Sequence, residues 1–274
     1  MKHSADPYRM THQLSTDLLE TIADRLETRG KNPVFSKMLN DFLERMDIDS
    51  ARTVLDMGCG TGVVTRAIAK RAAFSGTVMG VDISPYLVEV ARRLGKKENA
   101  DEKAFFCVGD SYRLGISEKE IDAVVVHTLL SHVDHPRSVL MESCRVVRPG
   151  GWVGIFEGDF ASLAFGHERH SKSHVYDRAI IDAVVTNPRV VRQMPRLIHQ
   201  VGLKLVSAHP YTVADIGSAD FWLPTLLLCK KRIPAGRSMK HTEAEEMVAS
   251  LIRDSEEGCF FGAGTFYSFI TRCS

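Results

Sequence analysis

Between residues 53 and 157 short apolar runs alternate with helix-patterned segments, and that alternation restricts the possible folds more than any other feature of the chain. The runs TVLDM (53–57), TVMGVD (77–82), AFFCVG (104–109), IDAVVV (121–126) and WVGIFE (152–157) are apolar on both faces. Strands of a parallel sheet covered by helices on both sides have this character. Segments 63–72, 85–94 and 136–147 carry helical spacing between them. The expected core is therefore an α/β doubly wound domain, with right-handed connections and ligands at the carboxyl ends of its strands.

Upstream, Leu14, Leu18, Leu19, Ile22 and Leu26 recur at helical spacing. Val34, Phe35, Met38, Leu39, Phe42, Leu43 and Met46 repeat the pattern after Pro33, a residue suited to a helix start. Residues 1–48 thus read as a helical cap and 49–274 as the main domain. After residue 158, stretches 172–186 and 190–201 read as helices, and 203–213 as a strand bent at Pro210. Segment 218–257 reads as a helical insertion, with helices at 218–230 and 242–257 and an exposed loop, KKRIPAG, at 230–236. CFFGAGTFYSFITR then supplies a last strand.

Thirty-five basic and 34 acidic residues leave a net charge of +1, so no global field favours nucleic acid or an anionic membrane. No apolar run approaches the ~20 residues that cross a bilayer, and the first residues lack a signal-peptide core; a cytoplasmic location is the expectation. The six cysteines form no C-x-x-C pair, so no metal site is expected.

The first strand ends in the glycine loop VLDMGCGTG (54–62). A triphosphate loop would need Gly-Lys-Ser or Gly-Lys-Thr, yet Gly62 is followed by Val63 and Val64. A dinucleotide fingerprint counted from Gly58 or Gly60 falls on Val63 or Thr65 where its last glycine belongs. Asp56 beside the turn disfavours phosphate and favours an ammonium group. Asp82 at the end of the second strand can accept ribose hydroxyls, and Gly109-Asp110-Ser111 after the third can read an adenine amino group. The three acids describe a site for a nucleoside with a cationic amino-acid arm.

VLDMGCGTG, GVDISPYLVEVAR, GDSYRL and SHVDHPRSVLMESCRVVRPGGWVGI together resemble class I methyltransferases that use S-adenosylmethionine. The chain is similar in particular to the small-molecule enzymes of ubiquinone and menaquinone biosynthesis, over residues 50–157 and more weakly beyond. The resemblance implies a Rossmann-like, seven-stranded, mostly parallel sheet whose last strand is antiparallel, with the N-terminal helices and the insertion as a lid. It places Gly58, Gly60, Thr61 and Gly62 against the methionyl and ribose parts, with Asp56 near the amino group. Asp82 would hold the ribose, Ile83 would pack on adenine, and Gly109, Asp110 and Ser111 would meet the adenine edge. His127 and Thr128 would line the route to the methyl group. S-adenosylhomocysteine is the implied product.

The acceptor is harder to read, because methyl transfer has no universal catalytic residue. The segment HTLLSHVDHP replaces the Asn/Asp-Pro-Pro-aromatic motif of enzymes that methylate nucleobase amines, so a small organic acceptor is expected, and no nucleic acid. His132 and Asp159 are the candidate catalytic residues; loop packing and turn capping are their plainer roles. Glu157, His167 and His170 lie on the stretch expected to border the acceptor. Arg189, Arg192 and Arg196 share a helical face, for an acidic substrate or simply for solvent. Phe221, Trp222, Leu226 and Leu227 form a lid, a homodimer contact or core. A protein that binds the cofactor without transferring its methyl group, or a protein or RNA methyltransferase, remains the alternative reading.

Overall fold

The computed structural model describes residues 6–233 and 239–273. In chain order the elements are α1 (Thr16–Lys31), α2 (Pro33–Arg45), β1 (Thr53–Met57), α3 (Val63–Ala69), β2 (Thr77–Asp82), α4 (Pro85–Lys97), β3 (Ala104–Val108) and β4 (Ile121–His127). They continue with α5 (Pro136–Val146), β5 (Val147–Phe165), α6 (Ser173–Val184), α7 (Val190–Gln200), β6 (Leu203–Gly217), α8 (Leu223–Arg232), α9 (His241–Glu256) and β7 (Phe260–Cys273). The helix starts follow local chemistry. Asn32 caps α2 by accepting from the Val34 and Phe35 amides ahead of Pro33, and Ser84 caps α4 ahead of Pro85.

One sheet of seven strands runs in the order β3-β2-β1-β4-β5-β7-β6. β1 to β5 pair in parallel, while β7 inserts antiparallel between β5 and β6. The strand order reverses between β1 and β4, which opens a crevice at their carboxyl ends. Alternate residues of β1 feed opposite cores: Val54 joins the cluster beneath α2 and α3, whereas Leu55 and Met57 join the one beneath α5 and α7. Phe35, Met38, Phe42 and Leu43 of α2 are buried in that first cluster, so the core runs continuously across residue 48.

Several expectations change. β5 is 19 residues long rather than six, because beyond Glu157 it goes on pairing with β7 through an irregularity between Asp159 and Ala164 that breaks the alternation. Gly150 and Gly151 also lie inside it. β6 continues straight through Pro210, which is tolerated because β6 is an edge strand paired only with β7. Residues 218–222 do not begin α8: the Asp215 carboxylate accepts from the Phe221 and Trp222 amides and fixes a turn ahead of it. Of the expected 230–236 loop, Lys230 and Arg232 belong to α8, and residues 234–236 lie outside the described residues. Much of the insertion packs as core, although Leu227 is exposed. Trp222 is 2% exposed, Leu226 is fully buried, and Trp222 meets Phe165 and Phe266.

Gly62 ends the glycine loop at φ +80°, and an added Cβ there would lie 2.5 Å from Phe106 Cε1. Both the left-handed backbone and the aromatic neighbour require glycine. Gly62→Ala is therefore expected to destabilise the protein by about 1–3 kcal/mol in urea unfolding. An unchanged midpoint would show that the loop relaxes freely.

Candidate functional site

The crevice deepens into a cavity of about 330 Å³ whose floor is the glycine loop. The Gly58 and Cys59 amides both donate to the Val81 carbonyl, at 2.8 and 3.0 Å, and sew the turn onto β2. The Gly60 amide donates to one oxygen of Asp82 and the Ser84 amide to the other, each at 2.9 Å. Each carboxylate oxygen keeps a second lone pair, so Asp82 can still accept from two hydroxyls. Burial raises the Asp82 carboxyl despite these backbone bonds. Asp56 is 1% exposed, accepts from the Thr65 hydroxyl at 2.6 Å, and is pushed up by burial to about 7. Two buried acids thus stand beside a turn whose own groups supply no cation. A ligand carrying an ammonium group fits that floor.

The opposite wall comes from the N-terminal residues, which cover the crevice. Tyr8, Arg25, Leu26, Arg29 and Phe35 all line the cavity. Arg29 donates to the Thr128 hydroxyl at 3.4 Å and lies over the Phe35 ring, 5.0 Å from its centroid. Thr128 sits at φ +49°, an uncommon state for a β-branched residue. The strain is held by its amide, which donates to the Phe156 carbonyl at 2.7 Å. His127 stacks on Phe156 with ring centroids 4.6 Å apart, and burial first, then the Arg29 charge, lower it to about 3. It is a neutral imidazole at physiological pH.

His132 also lines the cavity, and its Nδ1 lies 3.0 Å from Asp6 Oδ2. Asp6 in turn accepts from the Tyr8 amide and the Thr186 hydroxyl, both at 2.9 Å. The carboxylate fixes the proton on Nδ1 and leaves Nε2 as the basic atom of the ring.

Of the expected site residues, Asp56, Gly58, Gly60, Thr61, Asp82, Ile83, Asp110, Ser111, His127, Thr128 and His132 converge on this cavity. Gly62 and Gly109 stand behind it, against Phe106 and Val81. Asp159 is not brought there: it pairs with Arg192, 2.9 Å away, and so uses one of the three arginines read as a substrate face. Glu157 is fully buried, accepts from the Ser131 and Gly158 amides, and is raised by burial. His167 pairs with Asp177 at 2.9 Å, beside a separate hollow of about 60 Å³. The stretch from residue 157 to 222, expected to border the acceptor, contributes no lining residue. Arg25 and Arg29 were not foreseen, since arginine on the polar face of an amphipathic helix has the same sequence signature as a solvated one.

A methyltransferase-domain family model matches residues 55–155, spanning the glycine turn and the motifs that follow it. An uncharacterized 37.1 kDa protein carried by a Streptomyces fradiae transposon is 34% identical over 234 residues, covering 85% of this chain and 66% of that one. A demethylmenaquinone methyltransferase of Lactobacillus johnsonii is 31% identical over 116 residues, 42% of this chain and 48% of that one. The chain therefore spans about half to two thirds of the length of these curated relatives. Among solved structures, the [4+2]-cyclase SpnF aligns over 87% of this chain and 81% of its own, with a TM-score of 0.56 and 15% identity, a likeness of fold alone. Residues 55–155, which carry the ordered motifs, thus match a methyltransferase domain, and with its seven-stranded sheet the chain is similar to the class I S-adenosylmethionine-dependent methyltransferases.

Proposed function

We propose that this protein transfers a methyl group from S-adenosylmethionine to a small organic acceptor, releasing S-adenosylhomocysteine. The carrying observation is the polarity of the cavity, with buried acids at the glycine turn and arginines on the facing wall. A nucleoside with a zwitterionic amino-acid arm has groups for both. Asp82 would hold the ribose hydroxyls, with Ile83, Asp110 and Ser111 around the adenine. Asp56 would face the ammonium group, and Arg29, beside Thr128, the carboxylate. When bound, the cofactor supplies a methyl carbon on a sulfonium, whose departure as a neutral thioether needs no anion stabilisation.

The chain's own contribution is positioning and proton removal. Holding two reactants in line can contribute up to ~7–11 kcal/mol in favourable cases. The Asp6-held His132 can take a proton from an acceptor hydroxyl or acidic C–H at Nε2. Neutral His127 and the strained Thr128 shape the wall beside it, and the covering N-terminal residues keep bulk water out.

A [4+2]-cyclase shares this fold, so binding and consumption of the cofactor are measured separately. Incubation with methyl-labelled cofactor and a metabolite extract is expected to give a labelled small molecule that survives nuclease and protease. Tight binding with no turnover in any extract would instead support a protein that holds the cofactor without transferring from it. By calorimetry, Asp82→Ala is expected to weaken S-adenosylhomocysteine binding at least tenfold, or about 1.4 kcal/mol. Unchanged affinity would remove Asp82 from the ribose role.

Asp56 adds a pH signature. With its carboxyl near 7 in the free protein it is mostly protonated at pH 6, and a ligand ammonium favours the ionised form. Binding at pH 6 is therefore expected to release about one proton, and affinity to rise as pH goes from 5 to 7. Calorimetry in buffers of different ionisation enthalpy measures the release, and Asp56→Asn should abolish it. Proton uptake would contradict the placement of the ammonium group.

A further inference from the structure

Two arginines of the cavity wall, Arg25 and Arg29, are not paired with a carboxylate. Arg25 and Arg29 lie one turn apart on the same face of α1; burial first, and then the neighbouring Arg25 charge, lowers Arg29 to about 10, a value at which it stays charged at neutral pH. The hydrogen bonds of both go to neutral oxygens. Arg25 donates to the Tyr8 hydroxyl at 2.5 Å and the Thr225 hydroxyl at 3.1 Å, and Arg29 to Thr128. The Nε of each is buried without a hydrogen-bond partner. Glu157 is the acid whose field reaches Arg29, but its carboxyl is raised by burial and its oxygens accept from backbone amides. Elsewhere Arg66, Arg71, Arg145 and Arg148, at the margins of the same fold, all pair with carboxylates. Each guanidinium is partly buried without a paired acid, and a ligand anion would supply the missing partner.

The cofactor answers only one of them. It carries one carboxylate against an ammonium and a sulfonium, so loading it adds a net positive charge to the site. Its carboxylate is assigned above to Arg29, which sits by the carboxyl end of β4, next to Gly30 packed on Val63, the first residue of α3 after the glycine loop. Arg25 points instead to the side formed by α8 and the N-terminal residues, through Thr225 and Tyr8. The Tyr8 ring continues onto His132, with centroids 4.8 Å apart. A cation, a hydroxyl and an imidazole thus form one wall, with Thr225 behind the cation.

We infer that the methyl acceptor is a small organic anion, whose carboxylate or phosphate group is received by Arg25 beside Tyr8 while His132 faces its nucleophile. This rests on the methyltransferase reading and names the substrate class for the same site. Arg25 then decides specificity: a neutral analogue of equal shape leaves its guanidinium unpaired beside a sulfonium.

The test uses the full chain saturated with S-adenosylhomocysteine, titrated calorimetrically with benzoate, phenyl phosphate and neutral benzamide. One of the two anions is expected to bind at least tenfold more tightly than benzamide, and which one does so separates a carboxylate from a phosphate acceptor. Arg25→Gln should lose that preference at least tenfold and Arg25→Lys should largely keep it, with S-adenosylhomocysteine affinity within threefold of the parent in both. Arg29→Gln should show the converse, weakening S-adenosylhomocysteine at least tenfold. Benzamide binding as tightly as the anions, no binding of either anion, or undiminished anion binding by Arg25→Gln would each overturn the inference. Loss of S-adenosylhomocysteine affinity in Arg25→Gln rather than Arg29→Gln would overturn it too, by placing the cofactor's carboxylate on Arg25. A parent protein that binds the anions but not S-adenosylhomocysteine would sink the cofactor reading instead, so the two failures are distinct.

Discussion

Arg66 holds the site together. It is 4% exposed, and its guanidinium reaches the Thr61 carbonyl in the glycine turn, Glu27 on α1 and Glu98 at the end of α4. One buried cation thereby ties the loop that floors the cavity to the helix that walls it. A buried charge held between two acids is strongly directional, since moving either acid away would weaken its pairing in a low-dielectric surrounding. The turn it braces is also fixed from β2 through the Val81 carbonyl and Asp82. Around this knot the N-terminal helices are part of the site rather than a cover laid upon it.

The electrostatics of the cavity follow from that arrangement. Acids raised by burial lie on the β1 and β2 side, and arginines without carboxylate partners lie on the α1 side. Neither set is settled by the protein alone, and a ligand with charges of both signs relieves both. Desolvated groups of this kind give up stability that binding returns, which is common where a site is preorganised for a charged ligand.

Much of the cofactor half was legible from residue order. The glycine spacing at Gly58 and Gly60, Asp82 at a strand end and Asp110 after the next strand are local patterns, and the parallel sheet brings consecutive strand ends to one edge. The facing wall was less legible, because its members meet only through long-range packing. Asp6 finds His132 across 126 positions, and Arg25 finds Thr225 across 200. Asp159 and Arg192 each looked available for a substrate, yet they satisfy each other, and an ion pair between distant residues leaves no mark in periodicity. The strain at Thr128 is equally silent in sequence, since its backbone is set by Phe156 on the neighbouring strand.

The sequence by itself determined the strand-helix alternation, the doubly wound sheet and the glycine turn, all of which depend on spacing within a few residues. Tertiary structure decided which side chains face the reacting centre. It buried the apolar insertion around Trp222 as core, turned the segment after Glu157 away from the cavity, and brought two arginines of an amphipathic helix into it. The physical reason is that period and propensity fix which face of an element is apolar, whereas the occupant of a cavity wall is chosen by what packs against the polar face, and here that was the carboxyl edge of the sheet.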